Sequence, residues 1–150
     1  MAEGNTDGSV EIQREVSNGF NWHLFTFKFS LQNDQLRQPW IFREEFRTCC
    51  LFGPTSWLLQ MLFQPMTDDG RICIPLTLWR IDPAYNSVLV RVEPYINDEV
   101  NKCSPKVPAI EREIIRGGEI IEETLLEDFP MNLELHVSVF VWVVSCHKFT

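Results

Sequence analysis

Leu-Glu-Leu-His-Val-Ser-Val-Phe-Val-Trp-Val-Val, residues 133 to 144, is the stretch that decides the fold. Side chains alternate between the two sides of an extended chain, and every second residue from Leu133 onward is aliphatic. The other side begins polar at Glu134 and becomes apolar at Phe140 and Trp142. Residues of these types favour a strand, and a strand this apolar needs a second sheet on its aliphatic side. The stretch therefore predicts two packed sheets.

The composition suits one domain with a packed core. The chain has 150 residues, of which 45% are hydrophobic, and a domain of this length buries roughly 70% of the surface of its unfolded chain. The net charge is −8 and Lys and Arg form no cluster, whereas a nucleic-acid groove or an anionic membrane surface requires basic patches. We therefore expect neither nucleic acid nor a membrane as a partner. The longest apolar run is also far shorter than the roughly 20 residues of a transmembrane helix.

The cysteines indicate a reducing compartment. Their number is odd (Cys49, Cys50, Cys73, Cys103 and Cys146), and the N-terminus is polar and acidic, unlike a signal peptide. Reduced thiols in the cytoplasm or nucleus are the simpler interpretation. Neighbouring Cys49 and Cys50 would point to opposite faces of a strand, and no Cys-x-x-Cys spacing occurs. We therefore expect structural thiols, with neither a metal nor another cofactor.

Short apolar segments separated by turns fill the rest of the chain. Residues 1–17 are polar and predict a flexible N-terminal arm, residues 18–146 a single sandwich domain, and residues 147–150 a tail. The apolar phase shifts between Leu24 and Phe25, which predicts a bulge in the first strand or its end. Pro75 interrupts a later alternating segment and predicts an edge strand or a bulge, because proline has no N–H to donate.

One segment favours a helix. Ile121 and Leu125 are four residues apart between Glu119 and Glu127, a spacing that places both on one side of a short helix. With this exception, the pattern predicts an all-β antiparallel β-sandwich of about seven to eight strands with one short helix.

The order of these segments resembles the MATH domain, the β-sandwich of TRAF proteins and meprins, and especially the version in speckle-type POZ proteins. The matching residues are Phe20, Trp22, His23 and Leu24 in the first strand, then Phe46, then Trp57, Pro65 and Gly70, the leucine strand from Ile72 to Leu78, the charged stretch Ile110-Glu111-Arg112-Glu113, and Phe129-Pro130-Met131-Asn132-Leu133 before the last strand. The resemblance covers nearly the whole chain from Phe20 onward.

The resemblance implies a module that binds a short linear peptide of another protein, in a substrate-recognition or adaptor role related to ubiquitin-ligase adaptors. The peptide-binding positions it points to are Pro75, Thr77, Arg91, Glu93 and Lys106. The groove itself departs from the family. The family's groove tyrosine falls at Pro75, its groove phenylalanine falls near Arg91, and the loop from Lys102 to Pro108 contains no aromatic residue. The peptide specificity of the family is therefore not expected here, and no POZ domain is expected in this chain.

Catalysis is not expected. His23 and His136 lie in strands and His147 lies in the tail, and none is paired with Ser or Cys in a recognisable motif. Asp68-Asp69 before Gly70 favours a turn over a calcium site, which needs several spaced carboxylates.

Two alternatives stay open. The acidic residues between Glu119 and Asp128 form either a solvated face or a docking site for a basic partner. The protein as a whole is either a peptide binder or a structural, self-associating sandwich, a homo-oligomer in which Phe140, Trp142 and Val144 are buried against a second copy. A hydrolase dependent on His136 would be a third class.

Overall fold

Nine strands contain most of the residues that the structure describes. The computed structural model describes residues 10–50, 53–65, 72–84, 86–97, 109–126 and 134–144. The strands are β1 (Gln13–Asn18), β2 (Trp22–Leu31), β3 (Trp40–Arg47), β4 (Ser56–Pro65), β5 (Ile72–Arg80), β6 (Val88–Asn97), β7 (Ile110–Ile114), β8 (Glu119–Leu126) and β9 (Leu135–Val144). Within these ranges the helical content is one short 3-10 helix, Asn33–Leu36. The predicted all-β sandwich is confirmed, and the described ranges contain nine strands where the sequence predicts seven or eight.

The strands form two antiparallel sheets. Sheet A has the order β1-β2-β9-β6-β7, and sheet B has the order β3-β4-β5-β8. Strand β9 lies at the centre of sheet A, where it pairs with β2 from Trp22↔Val144 to Leu31↔Leu135 and with β6 along its other side. The stretch that predicted the sandwich is thus the middle strand of one of its layers.

The core lies between the two sheets. The inward side chains of β9, including Val139 and Val141, are fully buried. Aromatic contacts join the layers: the ring of Phe27 in sheet A lies 5.7 Å from that of Phe42 in sheet B, and Phe29 stacks on Phe42 at 4.7 Å. Burial of a large apolar side chain contributes about 1.5–3 kcal/mol, so these aromatic residues are a main source of stability.

The predicted bulge in the first apolar segment is wrong. Strand β2 keeps one register with β1 from His23 to Lys28 and one register with β9 over its whole length. The apolar phase shifts in the sequence because both faces of β2 carry apolar residues. Phe25 and Phe27 point into the core, whereas Trp22 and Leu24 share the outer side with Trp142, and the Trp22 and Trp142 ring centroids are 5.5 Å apart.

The predicted N-terminal arm is also wrong where the structure describes it. Gln13–Asn18 form β1, which pairs with β2 at the edge of sheet A. Polar composition concealed this strand because all six of its residues are exposed. The domain therefore begins before residue 18, while residues 1–9 and the predicted tail at 147–150 lie outside the described residues.

Two further predictions fail in sheet B. The predicted short helix at 119–127 is strand β8, in which Ile120 is buried and Ile121 is exposed, so the two isoleucines lie on opposite faces. Pro75 lies neither at an edge nor at a bulge, because β5 is an interior strand between β4 and β8. The pairing of β4 with β5 is interrupted near Pro75, between Met61↔Leu76 and Gln64↔Cys73, and continues in the same register.

Candidate functional site

The structure separates the predicted peptide-binding residues into two groups. Pro75 and Thr77 point outward from β5 in sheet B, whereas Arg91 and Glu93 point outward from β6 in sheet A. The two pairs lie on opposite outer surfaces of the sandwich, so one extended peptide lying across one surface cannot contact both. Lys106 lies outside the described residues.

Pro75 and Thr77 belong to a partly apolar surface, which we call the B face. We define it by these outward residues of sheet B: Ile41, Arg43, Glu45, Leu58, Gln60, Leu62, Cys73, Pro75, Thr77, Trp79, Glu119, Ile121 and Glu123. Ile41 is 36% exposed and Ile121 is 60% exposed. Cross-strand partners share a face, and here Leu58 lies beside Trp79 and Thr77 beside Ile121. Apolar side chains therefore reach the solvent from the outer strands of this sheet.

One border of the B face is the edge strand β8. Over the described residues β8 pairs with β5 alone, from Ile72↔Leu126 to Trp79↔Glu119. The main-chain groups on its other side therefore face away from the sheet. Edge strands offer such groups as a template for another extended chain. The charged side chains of β8 are all acidic: Glu119, Glu122 and Glu123.

The thiol of Cys73 on the B face is held in its neutral form. Its Sγ donates a hydrogen bond to Glu123 Oε2 at 3.0 Å. That bond, together with partial burial and the negative charge of Glu123, raises the pKa of the Cys73 thiol above its ordinary value. The thiolate is the reactive form, so this cysteine is a poor nucleophile. It serves instead to connect β5 with the edge strand.

A buried ion pair fixes the end of β5. The Arg80 guanidinium is fully buried and donates from Nε to Asp82 Oδ1 at 3.0 Å and from Nη2 to Oδ2 at 3.1 Å. Nη1 also donates to the main-chain oxygen of Ile114 at 2.9 Å, and Asp82 accepts from the main-chain N–H of Ser56 at 2.9 Å. The pair therefore ties β4 and β5 to the end of β7, from which the chain crosses to β8.

Sequence reasoning missed this pair, although a signal for it was present. Arg80 continues the inward alternation that begins at Ile72, so its position predicts burial, and an aspartate follows two residues later. Burial by itself would raise the pKa of Asp82. The hydrogen bonds from Arg80, Ser56 and Ala84 outweigh that effect and lower the pKa below its ordinary value.

The opposite surface, which we call the A face, holds Arg91 and Glu93. Arg91 Nε donates a hydrogen bond to Glu93 on the same strand, and this bond is the main reason why the pKa of the Arg91 guanidinium is raised. The guanidinium is thus already paired with Glu93 within the protein, which weakens it as a recognition group for the predicted peptide. Beside it lie Trp142 and Phe140 of β9, and Phe140 contacts Tyr95 edge to face at 5.6 Å.

The described histidines have separate environments. His23 is buried, and its Nδ1 lies 2.7 Å from Asn18 Oδ1. His136 Nδ1 lies 3.0 Å from Ser30 Oγ, and its Nε2 lies 3.8 Å from Glu134 Oε1. His147 falls outside the described residues. The described part of the chain contains no group of three or more His, Cys, Asp or Glu side chains placed to hold a metal ion.

Comparisons with known proteins do not assign the chain to a family. No protein-family model matches the sequence, and no curated protein matches it either. The resemblance to the MATH domain therefore stays a prediction from the sequence. Within the described ranges, no helix has both the length and the apolar character that a membrane crossing requires.

Proposed function

We propose that this chain is a MATH-like protein-interaction module that binds an extended, basic segment of a partner protein on the B face, along strand β8. The observation that carries the proposal is the exposed Ile121, 60% accessible, on an edge strand whose charged side chains are all acidic. An edge strand supplies main-chain hydrogen bonds to an added strand, and outward side chains next to it supply specificity.

The apolar part of the proposed peptide site comes from the edge strand β8 and its neighbour β5. Ile121 and Thr77 are cross-strand partners, and Pro75 lies opposite Glu123 in the next outward pair along the strands. An extended peptide adding to β8 would present every second side chain to this surface. One of those side chains, packed over Ile121 and Thr77, would be apolar.

The charged part comes from Glu119 and Glu123, which flank Ile121 on the same face. The carboxylates of Glu119 and Glu123 favour a peptide in which Lys or Arg residues flank the apolar residue that contacts Ile121. Because these groups are on the surface, their contribution is screened by salt, and affinity should fall as ionic strength rises. The net charge of −8 further favours a basic partner.

In this proposal the module is not an enzyme. It acts in the cytoplasm or nucleus and selects partner proteins for a complex, with adaptors of ubiquitin ligases as the related role that the MATH resemblance implies. The bound segment would be a short linear motif.

The test is a peptide-array screen with matched variants on the two faces. Thr77→Arg puts a bulky positive charge beside Ile121, and Arg91→Glu changes the charge of the A face. We expect wild type to select peptides with basic residues around an apolar one, Thr77→Arg to weaken their binding at least tenfold, and Arg91→Glu to leave it within about twofold. Thermal unfolding of both variants would verify that they are folded.

Two results would overturn the proposal. One is an array in which wild type selects no basic peptide. The other is binding that Thr77→Arg leaves intact, since such binding would have to use a different surface. Loss of binding in Arg91→Glu alone would move the site to the A face.

A second candidate function is self-association through the A face. The observation in its favour is the cluster of apolar side chains there, with Trp22 against Trp142 and with Phe20 nearby in sequence and 93% exposed. Light scattering coupled to size-exclusion chromatography would test it. A dimer that Phe20→Ser and Trp22→Ser weaken would support self-association, and a monomer at every concentration would exclude it.

A further inference from the structure

A polar cleft occupies the end of the A face away from the tryptophans. Its volume is about 390 Å³, and it lies where the N-terminal segment, β2 and β9 meet. Its lining includes the polar side chains of Gln13, Lys28, Ser30, Glu134, His136 and Ser138. Neither the proposed peptide surface nor the proposed self-association involves these residues.

A row of polar side chains forms one wall of the cleft. Ser30 Oγ lies 3.0 Å from His136 Nδ1, and Glu134 Oε1 lies 3.8 Å from Nε2 of the same imidazole. Gln32 Nε2 then donates to Glu134 Oε2 at 3.1 Å. The two hydrogen bonds orient Ser30 with His136 and Gln32 with Glu134 before any ligand arrives, and such preorganisation lowers the entropic cost of binding.

The charges in the cleft argue against ionic ligands. Lys28 supplies one positive charge, while Glu11 and Glu134 supply two negative charges, so a phosphate or sulfate group would meet carboxylates. The described residues also offer no cluster of three metal ligands. An apolar molecule would leave these hydroxyl, amide and imidazole groups without hydrogen bonds, which is costly. An uncharged ligand rich in hydroxyl groups satisfies both the donors and the acceptors.

An aromatic pair lies next to Ser138, one of the residues that line the cleft. Tyr95 is the cross-strand partner of Ser138, and its ring meets Phe140 edge to face at 5.6 Å. Aromatic rings offer a flat apolar surface beside a polar groove. A sugar ring has a matching character, with C–H groups on its face and hydroxyl groups around its rim.

We infer that this cleft binds an uncharged carbohydrate, with hydroxyl groups bonded to Ser30, His136 and Ser138 and a sugar face against Tyr95. The contacts are direct hydrogen bonds and stacking, so the site needs no metal ion. It lies on the opposite surface from the proposed peptide site and would work without it.

The test is a microarray of neutral oligosaccharides probed with the full chain, followed by titration calorimetry with the best oligosaccharide found. Ser138→Trp fills the cleft, and Ser138→Ala removes one hydroxyl from the same position. We expect binding to be lost in Ser138→Trp and weakened about tenfold in Ser138→Ala, the loss of one hydrogen bond. Thr77→Arg, on the B face, should bind the sugar as wild type does.

Chemical-shift mapping by NMR provides a second measurement that does not depend on a cleft variant being folded. Adding the oligosaccharide to wild type should shift the amide signals of Ser138 and Tyr95 and leave those of Thr77 and Ile121 in place. The inference is overturned if no neutral oligosaccharide binds, if only sulfated or sialylated ones bind, or if the shifts occur elsewhere. Failure of the peptide array would not affect this outcome, because the two experiments probe opposite faces.

Discussion

At the scale of single residues, the Arg80–Asp82 ion pair is the polar contact that joins the largest number of chain segments discussed above. Both side chains are almost completely buried, and their hydrogen bonds reach three other segments of the chain. A buried ion pair contributes little compared with an apolar pair, but removing one partner leaves an uncompensated charge in the interior. The alternation in β5 predicts that Arg80 points inward, yet it does not identify Ile114 and Asn86 as acceptors, because those contacts are set by tertiary structure.

We predict that Asp82→Asn lowers the free energy of unfolding by about 3 kcal/mol at pH 7, because Arg80 then has no anionic partner. The pKa of Asp82 in the folded state is lowered. The ionised carboxylate therefore contributes its full share to the free energy of unfolding above the ordinary pKa of 3.8, and this share is lost as the pH falls through the folded-state pKa. The difference between wild type and Asp82→Asn should therefore shrink below about pH 4. Urea unfolding across this pH range measures it, with the exposed Asp34→Asn as the control. A difference that is equally large at pH 2 would contradict this explanation.

At the scale of elements, the alternation of apolar and polar residues predicts which side chains of a strand point inward. It does not predict which strands pair with one another. The inward and outward residues of β5 and β9 follow directly from period two in the sequence. The helical spacing of Ile121 and Leu125 predicts a helix where strand β8 lies, although Ile120 is the residue that enters the core. Pro75 suggested an edge strand. Whether a strand is interior depends on pairing between segments far apart in sequence, which local composition does not encode.

We predict that Pro75→Val stabilises the protein by about 0.5–1 kcal/mol. Valine restores a main-chain N–H near the interruption between Met61↔Leu76 and Gln64↔Cys73, and it favours an extended backbone. Proline stabilises a protein by restricting the unfolded chain, and we expect the two gains from valine to exceed that effect. Urea unfolding provides the measurement. Pro75→Gly is the matched control, since it restores the N–H without strand propensity and should be less stable than Pro75→Val. Destabilisation by valine would mean that the local backbone is adapted to proline.

At the scale of the whole molecule, the assignment of strands to sheets determines which residues can form a site. Strands β5 and β6 follow each other in the chain and show the same alternation, so their outward residues looked like one surface in the sequence. The chain crosses between the sheets after β5, and this places Thr77 and Arg91 on opposite sides of the core. No local pattern marks that crossing, so the sequence predicts the fold but does not predict how the site residues are grouped on its two surfaces.

The edges of the two sheets are connected differently on the two sides of the sandwich. On one side the chain itself passes from β7 in sheet A to β8 in sheet B through the turn at 115–118. On the other side Arg14 of β1 reaches across to β3. Its Nη1 donates to Glu44 Oε1 at 3.0 Å and to the main-chain oxygen of Glu45 at 3.2 Å, and its guanidinium lies 5.7 Å from the centre of the Phe27 ring.

We predict that Arg14→Ala destabilises the protein by about 1 kcal/mol, far less than Asp82→Asn. The Arg14 side chain is 40% exposed, so water and salt screen its ion pair with Glu44. A double-mutant cycle with Glu44→Ala should give a coupling energy of about 0.5 kcal/mol at low salt that nearly disappears in 1 M NaCl. The part of the loss that persists in salt belongs to packing over Phe27, and Arg14→Met should recover it. A coupling energy that salt leaves unchanged would contradict this prediction, because it would mean that a desolvated ion pair joins the two sheets there. Arg14→Ala would then be expected to cost as much stability as Asp82→Asn.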